Sequence, residues 1–266
     1  MTKIALTIAG SDSGGDAGIQ ADLRTFSFHC VHGTSAVTCV TAQNTLGVQR
    51  VDPLPPEAVK AQIDAVVEDM GVQAVKTGML LNSEIIEIVA RKVQQWGLNS
   101  LVVDPVMVSR TGAQLIDDRA IATLIRCLVP RAAVLTPNRY EAQILSGFAI
   151  DDLEAMKAAA REIHSSGAAA VLVKGGGMTG KLQGVDVWFD GNNFEILRTE
   201  TVKTRNTHGT GCTLSAAIAA NLALGQDPFS AARLAKEYVT AALKVALPIG
   251  KGTGPVGHFF PLLLRR

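Results

Sequence analysis

Short apolar runs alternate along the chain with longer segments in which apolar residues recur every three or four positions. The short runs cover residues 4–9, 35–41, 74–77, 101–103, 133–136 and 169–174. The longer segments, residues 18–29, 56–70, 83–96, 117–128 and 153–166, carry the period of an amphipathic helix, with Ser83 placed as an N-cap. Strands that are apolar throughout and separated by helices predict a parallel sheet buried on both faces. The alternation breaks over residues 184–199, where two β-like runs flank Asp190, Gly191, Asn192 and Asn193, a composition suited to a hairpin after the sixth strand. Two further helices are predicted over residues 211–224 and 228–246. The reading is an α/β fold with a mainly parallel central sheet flanked by helices on both faces. No linker, repeat or low-complexity stretch divides residues 1–266, so a single domain is expected.

Composition narrows the partners. Hydrophobic residues make up 47% of the 266 positions and charged residues 18%, enough apolar material for a large core. With 25 Lys+Arg against 24 Asp+Glu, the net charge of +1 offers no field to capture nucleic acid or an anionic membrane, and a small-molecule partner is expected. Cys30, Cys39, Cys127 and Cys212 form no C-x-x-C pair, which fits a reducing cytoplasm. No apolar run reaches the length of a membrane span, and residues 4–9 are too short for a signal-peptide core.

In open parallel sheets ligands bind beyond the carboxyl ends of the strands, so chemistry is sought there. Six such ends are polar or glycine-rich: residues 10–16, 43–44, 76–79, 104–105, 136–138 and 174–177. Gly175, Gly180 and Lys181 have the spacing of a phosphate loop, but Leu182 stands where Ser or Thr must reach magnesium, and a strand is predicted where a helix must open. That motif is rejected. The strongest feature is Asn206-Thr207-His208-Gly209-Thr210-Gly211-Cys212-Thr213, which runs into an apolar helix. Free N–H groups of the first turn, brought close by Gly209 and Gly211, suit a developing phosphoryl charge. Cys212 in that turn is either a thiol whose pKa the helix field lowers, hence a base or nucleophile, or a buried cysteine after a tight turn.

Other candidates are weaker one by one. Asn138 and Glu141 lie one helical turn apart and suit a magnesium ion or its waters, although Glu141 equally complements a helix dipole. Asp104, at a strand end before Pro105, is a metal candidate. Lys174 ends a strand before three glycines, where its ammonium reaches a nucleotide phosphate or simply solvent. Gln43 offers the donor and acceptor that an aminopyrimidine edge requires, or it caps a strand.

Together these residues resemble a known family. The motifs are Gly10-Ser11-Asp12-Ser13-Gly14-Gly15 with Ala17-Gly18-Ile19-Gln20-Ala21-Asp22, Gln43-Asn44-Thr45, Lys76-Thr77-Gly78-Met79, Asp104-Pro105-Val106, Thr136-Pro137-Asn138-Arg139-Tyr140-Glu141 and Thr207-His208-Gly209-Thr210-Gly211-Cys212. In this order, spread from about residue 4 to residue 260, they resemble the hydroxymethylpyrimidine/phosphomethylpyrimidine kinases, which have the ribokinase-like fold. The resemblance implies a thiamine-biosynthesis enzyme that uses ATP and Mg2+ to phosphorylate 4-amino-5-hydroxymethyl-2-methylpyrimidine and then its monophosphate. It implies that Gln43 binds the aminopyrimidine in a pocket shaped by Gly10, Ala17, Met79 and the Val106 backbone. It gives Asp104 and Glu141 to the metal, Lys174 and Asn138 to the nucleotide, Gly209, Thr210 and Gly211 to the anion hole, and the base to Cys212. A homodimer is also implied.

Two positions depart from the family pattern. Asp16 replaces a small residue in the glycine-rich loop, putting negative charge on the substrate side, and Gly257 replaces a more polar one in the tail. The competing functions are a pyridoxine or pyridoxal kinase, against which Gln43 argues, and a noncatalytic pyrimidine-binding protein, against which the intact run from Gly209 to Cys212 argues.

Overall fold

The computed structural model describes residues 2–108 and 114–263. In chain order the elements are β1 (Ile4–Asp12), α1 (Gly18–Phe28), β2 (His32–Asn44), β3 (Gly47–Pro53), α2 (Pro56–Met70), β4 (Ala74–Thr77), α3 (Ser83–Gln95), β5 (Leu101–Val103) and α4 (Asp118–Cys127). They continue with β6 (Val134–Leu135), α5 (Arg139–Ser146), α6 (Leu153–Ser165), β7 (Val171–Val173), β8 (Asp186–Phe189), β9 (Phe194–Leu197), α7 (Thr210–Ala223), α8 (Pro228–Lys244) and α9 (Phe260–Leu263). The strands form one sheet ordered β3-β2-β1-β4-β5-β6-β7-β8-β9. From β2 to β7 the pairing is parallel, while β3 and the β8–β9 edge are antiparallel.

Successive strand residues point to opposite faces, and both faces are covered. Leu6, Ile8, Val75, Leu101, Val103, Leu135, Val171 and Val173 pack in one layer with residues of α2, α3, α4 and α6. Ala74, Val102, Val134, Leu172 and Trp188 face the other way, onto α1, α7 and α8. The alternation places each central strand between two helical layers, which is why these strands read as continuous apolar runs. Helix α7 is hydrophobic nearly all round because it lies between the sheet and α8, with Leu214 and residues 216–220 buried.

Three sequence expectations change. Residues 47–53 form a strand that the hydrophobic pattern does not announce, because β3 is exposed along its whole length and needs no apolar face. The antiparallel pair β8–β9, joined across residues 190–193, therefore follows the seventh strand rather than the sixth. The N-cap of α3 is Asn82, not Ser83: Asn82 has the extended backbone a cap needs and its side chain accepts from the Ile85 N–H.

The sheet sets the place of the site. β1 connects to β2 on one side and its other neighbour is β4, so the strand order reverses at β1, and the carboxyl ends of β1 and β4 are where an open α/β sheet places its ligand crevice. A bulge in the β1–β2 pairing between Ala9 and Ser11 falls at the entrance to that crevice.

Candidate active site

The loop after β1 is folded by one side chain. Asp12 Oδ1 accepts the Gly14 N–H at 2.8 Å, and Oδ2 accepts those of Asp16 at 3.0 Å and Ala17 at 2.8 Å. Burial works to raise the Asp12 carboxyl, but the His208 imidazole and these three N–H groups outweigh it and hold it below its ordinary value. The loop leads into α1 at Gly18. Beside it, Gly10 meets Cys39 and Met79 across the strand-order reversal. A β-carbon on Gly10 would lie 2.7 Å from Cys39 Sγ and 3.1 Å from Met79 Cε, so a larger residue would fill this end of the crevice. The Met79 carbonyl is fixed by the Thr38 hydroxyl at 2.7 Å.

Asp16 is buried, and burial raises its carboxyl pKa while His208 and Arg24 pull the other way. Its carbonyl oxygen sits against Gly209, where a β-carbon would come within 1.9 Å. Gly209 has φ +76° and is the N-cap residue of α7. Only glycine meets both conditions at the turn that opens α7, where the Thr210 N–H donates to the Thr207 carbonyl at 3.4 Å. The Thr210 hydroxyl is turned back onto the Thr207 carbonyl at 2.6 Å.

Cys212 lies in the first turn of α7, and the backbone N–H of Gly18, at the start of α1, favours its charged form. Two helix N-termini thus meet at this thiol. Of the two readings of Cys212, the lowered thiol is the one corrected: burial pushes the thiol up to about 11, Lys76 opposes, and Asp22 and Asp104 add to the rise. Beneath it lies a fully buried ion pair, Lys76 Nζ to Asp22 Oδ2 at 2.7 Å, with the Thr7 hydroxyl on the same oxygen at 2.6 Å. Asp22 Oδ1 has no hydrogen-bond partner among the described residues. Burial opposes the charge on Lys76, but Asp22, Cys212 and Asp104 outweigh it and hold Lys76 above its ordinary value.

Further along the crevice, Asp104 Oδ1 pairs with Lys174 Nζ at 2.8 Å, while Ser215 donates to Oδ2 at 3.1 Å and Thr136 to Oδ1 at 3.3 Å. Burial would raise Asp104, and the two ammonium groups of Lys174 and Lys76 reverse this, leaving it lowered. The start of α7 touches this pair, since a β-carbon on Gly211 would lie 3.4 Å from Lys174 Nζ. The Val106 N–H turns back onto the Asp104 carbonyl at 2.9 Å.

Asn138 and Glu141 form a capping box at the start of α5. Asn138 Oδ1 accepts the Tyr140 and Glu141 N–H groups at 2.9 and 3.0 Å, and Glu141 Oε2 accepts the Asn138 N–H at 2.8 Å. Burial pushes the Glu141 carboxyl up to about 8, with Asp104 adding to the rise and Lys174 opposing it. After Lys174 the chain makes two short 3-10 turns and enters β8 without opening a helix, in keeping with rejection of a phosphate loop there. The Gly175 N–H is held by Asp186, itself paired with Lys236 at 2.7 Å.

Gln43 stands at the other end of the crevice. Its Nε2 is 3.0 Å from His208 Nε2, and its Oε1 accepts from the Thr41 hydroxyl at 3.2 Å. The structure therefore brings Asp104, Lys174, Glu141, Asn138, Gly211 and Cys212 into one cluster in which Asp104 and Glu141 are buried and the rest half-buried, Gly10 and Met79 into a second, and joins Gln43 to the Gly209 turn through His208. Gln43 hydrogen-bonds to none of Gly10, Met79 and Val106. The residues that sequence reasoning passed over are Asp12, Asp22, Lys76, His208 and Ser215. The first four stood inside the quoted motifs, but their pairing spans long sequence separations that no local pattern carries. Gly257 proves to be steric: a β-carbon there would lie 2.3 Å from the Val245 carbonyl oxygen.

The sequence profile of the family described as phosphomethylpyrimidine kinase matches residues 12–257. A hydroxymethylpyrimidine/phosphomethylpyrimidine kinase of Synechococcus elongatus is 61% identical over 259 residues, 97% of this chain and 98% of that protein. The Bacillus subtilis protein of the same name is 48% identical over 255 residues, 96% of this chain and 94% of that one. The crystal structure of an ADP complex of Bacillus subtilis pyridoxal kinase superposes with a TM-score of 0.90 at 39% identity, over 99% of this chain and 100% of that one.

Proposed function

The chain belongs to the phosphomethylpyrimidine kinase family, and from that premise we propose that it transfers the γ-phosphoryl group of ATP to the hydroxymethyl oxygen of 4-amino-5-hydroxymethyl-2-methylpyrimidine, then to the resulting monophosphate. The observation that carries the reading is the convergence of the α7 N-terminus, Cys212, Asp104 and Lys174 at the carboxyl ends of β5 and β7. Phosphoryl transfer needs chiefly positioning and stabilisation of charge on the moving group. The N–H groups at Gly209, Thr210 and Gly211 receive that charge, and Lys174 binds the nucleotide phosphates, with Asn138 beside it.

Cys212 is the base for the first transfer. A thiol held near 11 is protonated at neutral pH, so its thiolate is scarce but strongly basic, and Lys76 with the two helix N-termini stabilises it when it forms. The first transfer then accelerates as pH rises towards the thiol's titration. The second needs no base, because a phosphomonoester already presents an ionised oxygen near neutral pH.

No group of three or more His, Cys, Asp or Glu side chains suited to a metal occurs among the described residues. The buried carboxylates Asp104 and Glu141, with Lys174 near both, would instead hold Mg2+ that arrives with the nucleotide. When bound, such an ion neutralises charge on the β- and γ-phosphates.

Gln43 reads the aminopyrimidine edge, with Gly10, Ala17, Met79 and Val106 shaping the pocket. A pyridoxal kinase is the second reading, favoured by the similarity to the Bacillus subtilis pyridoxal kinase. The ring of pyridoxine lacks the exocyclic amine that completes Gln43's hydrogen bonds. The test is mass spectrometry of products when ATP and Mg2+ are supplied with both substrates in competition. A diphosphorylated pyrimidine is expected; phosphorylated pyridoxine as the main product would overturn the reading, and no turnover of either would favour a noncatalytic binder. The proposal includes a homodimer, for which the exposed edge strand β3 with Val48 and Val51 supplies a surface, and a cytoplasmic setting suited to four free cysteines. Light scattering tests the former.

A further inference from the structure

His208 immediately precedes the anion-hole glycine, yet its imidazole faces the other end of the crevice. Its backbone is clamped on both sides: the N–H donates to the Gly254 carbonyl at 3.0 Å, and the carbonyl accepts from Val256 at 3.3 Å. The ring therefore has a fixed origin, and its Nε2 stands 3.0 Å from the amide nitrogen of Gln43. An amide N–H2 only donates, so Nε2 must accept, and a neutral imidazole with a bare Nε2 carries its proton on Nδ1.

The amide's other end is held as well. The Thr41 hydroxyl lies 3.2 Å from Gln43 Oε1 and 3.1 Å from the Ser11 carbonyl oxygen, and it has one proton to give. With Thr41 donating to Oε1 and Nε2 of His208 accepting, Gln43 keeps one N–H and one oxygen lone pair free. Those are the complements of a ring nitrogen beside an amino group.

The reverse chain is also complete. Thr41 can donate to Ser11, the amide N–H2 to the Thr41 oxygen, and a protonated Nε2 to the amide oxygen. Asp12 Oδ2, 3.8 Å from Nε2, would favour that proton, as would Asp16 on the same loop, while the Arg24 guanidinium on α1 opposes it. Three backbone N–H groups share the Asp12 carboxylate with the imidazole. In the reverse chain the free donor and acceptor exchange places, and the edge read by Gln43 is inverted.

We propose that His208 is a positioning residue that fixes which way round the Gln43 amide faces, and so selects rings presenting an acceptor beside an amino donor. The inference rests on Gln43 as the ring-reading residue, and its test separates the two claims. Nitrogen NMR of the full-length protein at pH 8 should find His208 as the Nδ1–H tautomer, with the Nε2 resonance moving in Gln43→Leu. An Nε2–H tautomer, or a resonance indifferent to Gln43→Leu, overturns the proposal whatever the substrate. In kinetics, His208→Leu should raise KM for the aminopyrimidine about tenfold, the cost of one hydrogen bond, with kcat and the KM for ATP within about twofold of wild type. His208→Gln, which restores an acceptor, should recover most of the loss and serves if the leucine variant does not fold. A fall in kcat with KM unchanged, or a rise in both substrates' KM values, would mean that His208 merely supports the loop and would sink the proposal. Failure of the unmodified protein to phosphorylate the pyrimidine would instead remove the function proposed above, leaving the tautomer result to decide this inference.

Discussion

At the phosphoryl end of the crevice, Asp104, Lys174, Glu141, Lys76 and Asp22 are buried or nearly so, and each is held by at least one charged or backbone partner at 2.8 Å or less. At the ring end, Gln43 sits on an arm of β2 whose neighbour β3 is exposed throughout, and two side chains hold its amide. The first region is over-determined: moving one charge leaves another uncompensated in a low-dielectric setting. The second is lightly held, and under the proposed function it reads a ligand through one amide. A fold divided this way keeps its chemistry fixed while its ring specificity rests on a few hydrogen bonds, as expected where relatives on one architecture carry different substrate names.

The largest effect should come from the over-determined end. Cys212→Ala removes the base, and the first transfer should slow by about 10²–10⁴-fold, the usual worth of a positioned base. The second transfer should change by less than about tenfold. Single-turnover rates on the alcohol and the monophosphate separate the two, and equal losses in both would refute the assignment. The wild-type rate on the alcohol should rise with pH through the range below 11, and the monophosphate rate should not follow it.

Next in size is the buried pair. Lys76→Met strands Asp22, whose Oδ1 is already without a partner, and should cost about 3–5 kcal/mol in urea unfolding. The double variant Asp22→Leu/Lys76→Met should regain most of that stability, because two apolar residues leave no charge unpaired. It should not regain the first-transfer rate. If it does, the pair is scaffold alone and the contrast between the two ends is weaker than drawn.

At the lightly held end the effect is smaller and selective. Gln43→Leu should raise KM for the aminopyrimidine by the roughly 1–3 kcal/mol of an unpaired buried amide partner. The fold should be undisturbed, and thermal melting checks this. A large drop in stability would show that Gln43 anchors β2 rather than reading a ring.

The two ends were also unequally legible in the sequence. The central strands declared themselves because burial on both faces makes them apolar throughout, as in Val102 between Leu101 and Val103. β3 did not, because an exposed edge strand containing Arg50 and Asp52 has no pattern to show. Residues at strand ends stood out by type and position, so Asp104, Lys174 and the Gly209 turn were singled out. The environment of Cys212 was half visible: the helix start is local, but the burial that raises the thiol comes from elements far away in the chain. His208 and Gln43 lie 165 residues apart, and nothing in either segment names the other.

The smallest predicted effect tests the phosphoryl end without using turnover. The Glu141 carboxyl is pushed up to about 8 from an ordinary 4.5, burial being the main cause. Between those two values the folded protein holds a proton that the unfolded chain releases, so the unfolded state binds fewer protons and stability falls as pH rises. The contribution is complete below about 4.5 and lost as pH passes through 8. Glu141→Gln keeps a neutral acceptor for the Asn138 N–H and removes the titration, so its melting temperature relative to wild type should climb by a few degrees between pH 5 and pH 9. Mg2+ with a nonhydrolysable ATP analogue should flatten the wild-type slope, since a cation beside the carboxylate favours its charged form. An unchanged slope with the analogue bound would place the metal away from Glu141. Identical slopes in wild type and Glu141→Gln would mean that another buried group, such as Asp22 or Asp16, carries the pH dependence, both being raised by burial in the same direction.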